Sequence, residues 1–322
     1  MRSTRDMPVP RVCAGQRGYS LIELMVAVVV GVFLLAGLFT VFQETRHTST
    51  EQTGLTQLQD EERLAMSLIT NVVQSARYYP NVVGGSFASA LPTDGGNFTV
   101  AGQALYGAVA VPATATTPEQ DTLTVRFATA PGDNVLNCNG VSNSGPTNPL
   151  VYANTFAINA ANQLTCIAQS VAAAVPGTPA TGGQVMPLVN GVVGMSFQFA
   201  VNTMYASSAT SPDSLGGGNT AASNGNATST NNPCPADSYE PTSGMSVNMN
   251  GSPVIDDWTN VCAIQVTLTF VNPLYQPPGQ PSPTPGQSQY VTFQRVISIM
   301  TNSGVNSTEV MTTNGNNTTT TT

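Results

Sequence analysis

Glu23 stands at the third position of an apolar run, and after it residues 24–42 carry no charge and one polar side chain, Thr40. A charged side chain is costly in lipid, on the order of 3 kcal/mol at mid-bilayer on insertion scales and less near an edge. Glu23 therefore calls for a cationic partner. Other residues able to do chemistry are sparse. His47, the one histidine, follows the apolar run, where it reads as part of a solvated helix face. With one histidine and no paired reactive cysteine, triad chemistry of the serine–histidine kind lacks its parts. Glu61-Glu62 and Asp256-Asp257 are adjacent pairs whose carboxylates diverge on a helix or strand. Asp256-Asp257 with Asp237 or Glu240 forms the one calcium-type alternative to an ordinary solvated turn. Asp94-Gly95-Gly96-Asn97 reads as a hairpin turn. There is no glycine-rich phosphate loop. The expectation is no catalytic residue, no metal and no cofactor, hence no enzyme.

Only 8% of the 322 residues are charged, and all nine basic residues are arginine. Arg2, Arg5, Arg11 and Arg17 precede the apolar run, and Asp6 is the one acid among them. Beyond Gly18, five arginines face sixteen acids, a formal charge of −11. That balance offers no basic patch for phosphate contacts, and no nucleic-acid partner is expected. Arginines before the run and mixed charge after it (Glu44, Arg46, Glu51) predict a cytoplasmic N-terminus with the rest outside. The run is about as long as the ~20 residues that span a bilayer. It does not end in a small-residue cleavage site of the secretory kind.

Past the span, Leu55, Leu58, Ala65, Ile69, Val72 and Ala76 form one apolar stripe of an amphipathic helix. Pro80 and Gly84-Gly85 stop it. A helix from Tyr19 to Tyr78 is roughly 90 Å long at 1.5 Å per residue; two helices with a break near Gly54 are the alternative. Strands are predicted over residues 121–129, 149–159, 162–170, 194–202, 261–271 and 288–302 from β-branched and aromatic enrichment or alternation. In 261–271, Cys262, Ile264, Val266, Leu268 and Phe270 share one apolar face. Residues 203–235 are a Ser/Thr/Asn/Gly-rich loop without core-forming material. A proline-rich connector follows Asn272, and residues after 314 read as a disordered tail. Trp258, the only tryptophan, reads as a core or interface anchor.

The stretch RG-YSLIE, Arg17 to Glu23, resembles the prepilin signature of type IV pilins and pseudopilins: a basic leader ending in Gly, then a long apolar helix with Glu at its fifth mature position. The resemblance implies cleavage between Gly18 and Tyr19 by a prepilin peptidase and N-methylation of Tyr19. The new amine at Tyr19 lies four residues before Glu23, one helical turn away. The resemblance further implies that Glu23 draws a subunit into register with a neighbour's N-terminus. Tyr19 stands where Phe is commoner, and the kinking proline of major pilins is absent, with Thr40 in that region. Met1 and Met7 are both candidate starts.

Further along, DTLTVRF, NCNG, NQLTCIAQ, PLVNGVVGMSFQFAVNT and YVTFQRVISIMTN follow the order of elements in PilW-type minor pilins, and Arg295 matches the arginine of the family's late strand. Cys13 leaves with the leader, and Cys138, Cys166, Cys234 and Cys262 remain in an oxidising compartment. Three connectivities are open. Cys138–Cys166 and Cys234–Cys262 are preferred, because each ties a loop to a nearby strand. Each loop closure is worth about 3–4 kcal/mol in the chain-entropy account. A zinc site is the alternative, without a C-x-x-C pair to support it.

The expected fold is α+β and type IV pilin-like: a long N-terminal helix, half membrane and half amphipathic, on an antiparallel β-sheet head with long loops. The expected organisation is a prepilin leader (1–18), a transmembrane and assembly helix (19–43), its amphipathic half (44–79), a β-rich head (80–313) and a tail (314–322). The function this implies is that of a minor pilin in type IV pilus assembly, in the initiation or tip complex. A J-type pseudopilin of type II secretion and a signal-anchored periplasmic binding module that does not polymerise are the alternatives. The implied partners are other minor pilins, the major pilin, the prepilin peptidase, the inner-membrane assembly platform and the inner membrane itself. The implied location is that membrane, head outward, and then the pilus.

Overall fold

No proline interrupts residues 21–74, and a single helix, α1 (Leu21–Gln74), runs through them and past Gly54 without a break. The structure is a computed structural model that describes residues 20–80, 87–145, 148–173, 176–201, 238–245, 247–248, 255–275 and 288–299. It divides into two compact units after Gly54.

In the first unit the apolar side chains of α1 face outward; Phe33 is 76% exposed and Leu24 61%. Thr40 donates its hydroxyl to the Gly37 carbonyl at 2.8 Å, so the one polar side chain of the run is satisfied within the helix.

In the second unit the same helix buries Leu58, Ala65, Met66, Ile69, Val72 and Val73, and Ala76 follows just beyond its end. The predicted stripe thus gains Met66 and Val73, while Leu55 is half-buried. Each fully buried large aliphatic side chain stabilises by about 1.5–3 kcal/mol. The helix ends at Gln74 rather than at Tyr78. Arg77 turns left-handed (φ +65) and donates its N–H to the Arg126 carbonyl at 3.2 Å, and Ala128 donates to the Tyr78 carbonyl at 2.8 Å. The sheet captures the chain before Pro80 is reached.

After a short helix α2 (Phe87–Ala90) come β1 (Leu105–Val111), β2 (Gln120–Thr129), β3 (Leu150–Ile158), β4 (Gln163–Ala172), β5 (Val185–Asn190) and β6 (Val192–Val201). Then follow β7 (Ser238–Pro241), β8 (Val247–Asn248), β9 (Ile255–Asp256), β10 (Val261–Val271) and β11 (Tyr290–Ser298). The main sheet has the order β11-β10-β6-β2-β3-β4-β5, with β1 beside β2 and β7 beside β6; β8 and β9 pair separately. The sheet is mixed rather than purely antiparallel, because β2 and β6 meet in parallel at Gln120 and Met195. Strands β2, β3, β4, β6, β10 and β11 match the predicted segments. Strands β1, β5 and β7 to β9 have no predicted counterpart, although β5 includes the residues PLVN that open the PLVNGVVGMSFQFAVNT stretch.

Leu123, Val125 and Phe127 of β2, Phe156 of β3 and Ile264, Val266, Leu268 and Phe270 of β10 join the buried helix residues in one core. The apolar face of β10 is as the alternation requires, and Thr269 is buried beside it. Trp258 lies in a smaller aromatic group, 4.9 Å from the Phe199 ring centroid and 5.6 Å from that of Tyr106. Asp94 forms a side-chain turn rather than a hairpin between strands. Its Oδ1 accepts the N–H groups of Gly96 and Phe98, and no strand flanks it on either side. The loop 203–235, the connector 276–287 and the tail lie outside the described residues.

The meeting of β2 and β6 is tight at Gly194, where a Cβ would stand 2.6 Å from Pro118 Cβ, 3.0 Å from Thr269 Cβ and 3.2 Å from the Glu119 carbonyl. None of these is the free end of a flexible side chain. Gly194→Ala is expected to cost about 1–3 kcal/mol through overpacking. Thermal unfolding checks this, and an unchanged melting temperature would contradict the described closeness.

Candidate functional site

Ser20 leads into α1, and Glu23 sits in its first turn. A carboxylate there is favoured by the unpaired N–H groups of the helix start. Among the described residues Glu23 makes no ion pair. Gly18 and Tyr19, the predicted cleavage and methylation positions, lie outside the described residues, as does Cys13. The apolar surface ends at Phe42, where the Arg46 guanidinium lies 4.4 Å from the ring centroid. His47 pairs with Glu51 at 3.2 Å one turn on. Both side chains are solvated, so this pair contributes little to stability. Among the described residues one helix, α1, is long and apolar enough to cross a membrane.

The head holds its functional shape with buried polar devices. Cys138 and Cys166 form a disulfide, with Cα atoms 6.3 Å apart, that fastens the loop after β2 to β4. The Cys138 N–H donates to Asn154 Oδ1 of β3 at 2.9 Å, which fixes the same loop a second time. Cys262 is also disulfide-bonded; Cys234 lies outside the described residues.

Arg126 was not singled out by sequence reasoning, yet it organises one side of the sheet. It is 4% exposed. Its Nε and Nη2 donate to the Gln103 carbonyl and its Nη1 to the Pro92 carbonyl, and its guanidinium lies 3.8 Å from the Phe98 ring centroid. Burial lowers the guanidinium to about 10 while the Asp94 carboxylate opposes that shift. A single arginine thus binds residues 92–104 to β2. The signal available in DTLTVRF was a cation within a largely apolar strand whose one acid, Asp121, lies five residues away and so on the other face.

Asp121 opens the same strand and is 1% exposed. Its Oδ2 accepts from the Thr242 hydroxyl at 2.6 Å and from the Phe197 N–H at 3.1 Å, joining β2, β6 and the turn after β7. Its Oδ1 has no hydrogen-bond partner among the described residues. Burial pushes the carboxyl up, partly offset by those two bonds. The nearby Glu119 carboxyl is also raised, by burial first and by Asp121 second. Arg295 is exposed on β11. Glu61 is half-buried, and burial raises its carboxyl, whereas Asp237 lies outside the described residues. Among the described residues no three His, Cys, Asp or Glu side chains converge to hold a metal ion. The arrangement braces a rigid head and leaves an apolar helix uncovered.

Residues 13–39 match the Prokaryotic N-terminal methylation motif, and residues 153–313, half of the chain, match the family Type IV Pilus-assembly protein W. No curated protein matches the chain. Among solved structures, a type IV-like pilin from Thermus thermophilus aligns over 77% of this chain and 98% of its own, with 10% identity and a TM-score of 0.36.

A carboxyl whose folded value exceeds its unfolded one binds its proton more tightly in the fold. Its contribution is therefore fully favourable below the unfolded value and is lost as pH rises through the folded one. Asp121→Asn removes this titration and keeps the acceptor for Thr242 and Phe197. The variant is expected to match the parent at acid pH and to gain on it as pH approaches neutral. Chemical denaturation across that range tests the sign, and a parent that gains on the variant toward neutral pH would reverse it.

Proposed function

The chain belongs to the Type IV Pilus-assembly protein W family, and on that premise we propose that this minor pilin serves in the complex that initiates a type IV pilus and remains at its tip. The observation that carries the reading is Glu23, a carboxylate without an ion-pair partner among the described residues, at the head of an outward-facing apolar helix. In this reading residues 1–18 are a leader removed between Gly18 and Tyr19, and the methylated Tyr19 amine of a neighbour meets Glu23. Residues 19–43 exchange lipid for the apolar helices of other subunits. A charge pair formed in that low-dielectric setting is worth far more than the same pair in water, which makes register selective.

The head (80–313) argues for the tip, because so large a body fits poorly into a close-packed shaft of repeating subunits. The partners in this reading are other minor pilins, the major pilin, the peptidase and the inner-membrane platform. The head starts on the outer side of the inner membrane and ends on the pilus. The Cys138–Cys166 disulfide accords with that oxidising side. The role in this reading is structural, as the pilus-assembly family suggests.

Intact mass and N-terminal sequencing of chain recovered from membranes, with and without a prepilin peptidase, test the reading. The expected product begins at N-methyl-Tyr19 and forms only with the peptidase. Glu23→Val is expected to be processed normally yet to enter pili at least about tenfold less, since one lost ion pair of about 1.4 kcal/mol or more is a factor of ten. A chain cut after the apolar run, or a Glu23→Val chain that assembles normally, would overturn it. Gold-labelled heads along the shaft would overturn the tip position alone.

A further inference from the structure

The two ends of the main sheet are finished differently. At the β5 end, Pro187 sits within the strand and the pairing with β4 slips between Leu164 and Thr165. Proline and a break in register are ordinary devices that keep an edge from accepting another strand. At the β11 end neither is present. All nine residues of β11 pair in register with β10 from Tyr290 to Ser298, without a bulge or a proline.

The hydrogen-bond parity says which groups of β11 point outward. Ile299 donates its N–H to the Cys262 carbonyl at 3.0 Å, and Asn272 donates to the Gln289 carbonyl at 2.9 Å. In an antiparallel ladder, bonded pairs recur at every second residue. The odd-numbered residues 291, 293, 295 and 297 therefore bond to β10, and the even-numbered ones turn their N–H and C=O groups away from it. The Tyr290 N–H meets the Ser288 hydroxyl at 3.3 Å. Thr292, Gln294, Val296 and Ser298 have no such partner among the described residues, and all four are exposed, Val296 at 51%.

Side chains define what fits there. Phe293, Arg295 and Ile297 lie opposite Leu268, Val266 and Ile264, so they share the core side of the sheet. Phe293 is half-buried against Phe270, Ile297 is buried, and Arg295 is exposed as the only charge on the strand. A strand laid along β11 would find apolar surface, a cation and apolar surface at alternate positions.

We propose that β11 takes up an extended segment of a neighbouring pilus subunit as a further strand, with apolar residues beside Phe293 and Ile297 and a carboxylate beside Arg295. Main-chain bonds from residues 292–298 supply the affinity, and the Arg295–carboxylate pair sets the register. A second copy of this chain fits less well. An antiparallel pair of β11 strands centred on Gln294 sets Arg295 across from Phe293 and leaves both guanidinium groups without an acid. The proposal depends on the minor-pilin reading for the identity of the partner.

The test uses the full-length chain in cells that assemble pili, with a photo-crosslinking residue in place of Val296 and, as a control, of Val185 on the other edge. Mass spectrometry of the cross-linked peptides is expected to give, from Val296 only, a segment of another pilus subunit in which an acid alternates with apolar residues. Gln294→Pro deletes one outward N–H and leaves the main-chain bonds to β10 intact, losing only the exposed side-chain bond from Gln294 Nε2 to Thr267 Oγ1 at 3.3 Å. Its cross-link yield is expected to fall about tenfold, as is that of Arg295→Glu, which leaves the main chain untouched. Both variants should keep the parent's melting temperature and the Cys138–Cys166 disulfide. Cross-links to residues 300–322 of the same chain, to a second copy, or to nothing would overturn the proposal. Mature chain starting at Tyr19 without a Val296 cross-link rejects strand addition alone, whereas unprocessed chain rejects the minor-pilin reading itself.

Discussion

Helix α1 exposes along residues 24–42 more apolar surface than water tolerates, and among the described residues nothing covers it. A soluble helix normally hides such a face in its own core. Here the described residues hide only the second half, where Leu58, Ala65, Met66, Ile69, Val72 and Val73 are buried. The two halves of one helix thus have different solvents. For the first half, lipid and the apolar helices of neighbours are nearly equivalent surroundings, so moving between them costs little in apolar transfer. What distinguishes the two is Glu23. A carboxylate near a membrane edge remains partly hydrated, whereas one enclosed by other helices needs a cation, and the proposed pull toward a neighbour's amine would follow from that difference.

A head held on such a helix must keep its shape by itself, and it does so with few charges. Arg126 and Asp121 are both nearly inaccessible, and among the described residues neither makes a contact ion pair. Arg126 is satisfied by the carbonyls of Gln103 and Pro92 and by the face of Phe98. Asp121 is satisfied in part, by Thr242 and the Phe197 N–H. These groups sit at the places where the chain changes layer: Arg126 where the segment after α2 crosses to β1, and Asp121 where β2, β6 and the turn after β7 converge. A buried polar group with directional bonds fixes one arrangement among several that apolar packing alone would accept. The Cys138–Cys166 disulfide does the same for the loop after β2.

Much of this was legible in the residues, because it depends on local periodicity. The 3.6-residue stripe from Leu58 to Ala76 and the alternation of Ile264, Val266, Leu268 and Phe270 report burial directly. Glu23 was legible because it contradicts its surroundings. The failures have physical causes too. Strand β1, LYGAVAV, is short and rich in small residues, so its order comes from pairing with β2 rather than from its own pattern. Strand β5 contains Pro187, which argues against a strand until an edge position is known. Strand β7 exists through its pairing with β6, after a long polar insert that carries no periodic signal. The end of α1 was misplaced because the capture of Arg77 by Arg126 is a contact across the fold, invisible to any window along the chain. The role of Arg126 was missed for the same reason.

The scarcity of charge links the interior to the surface. A chain without lysine cannot guard a sheet edge in the commonest way, by pointing ammonium groups along it. One edge is closed instead by Pro187, which removes a donor at no electrostatic cost. On β11 the single charge is Arg295, and a planar guanidinium is a poor guard but a good recogniser of carboxylates. Were β11 simply left unprotected, collapse onto any passing strand would be the expected fate of a head with so apolar a core. Flanking Arg295 with Phe293 and Ile297 narrows the choice, because a strand must bring an acid at one position and apolar residues at the positions on either side. On the reading proposed above, such a subunit needs selectivity of this kind: its helix half would meet other pilins through apolar contact and Glu23 alone, so discrimination between neighbours would have to come from the head.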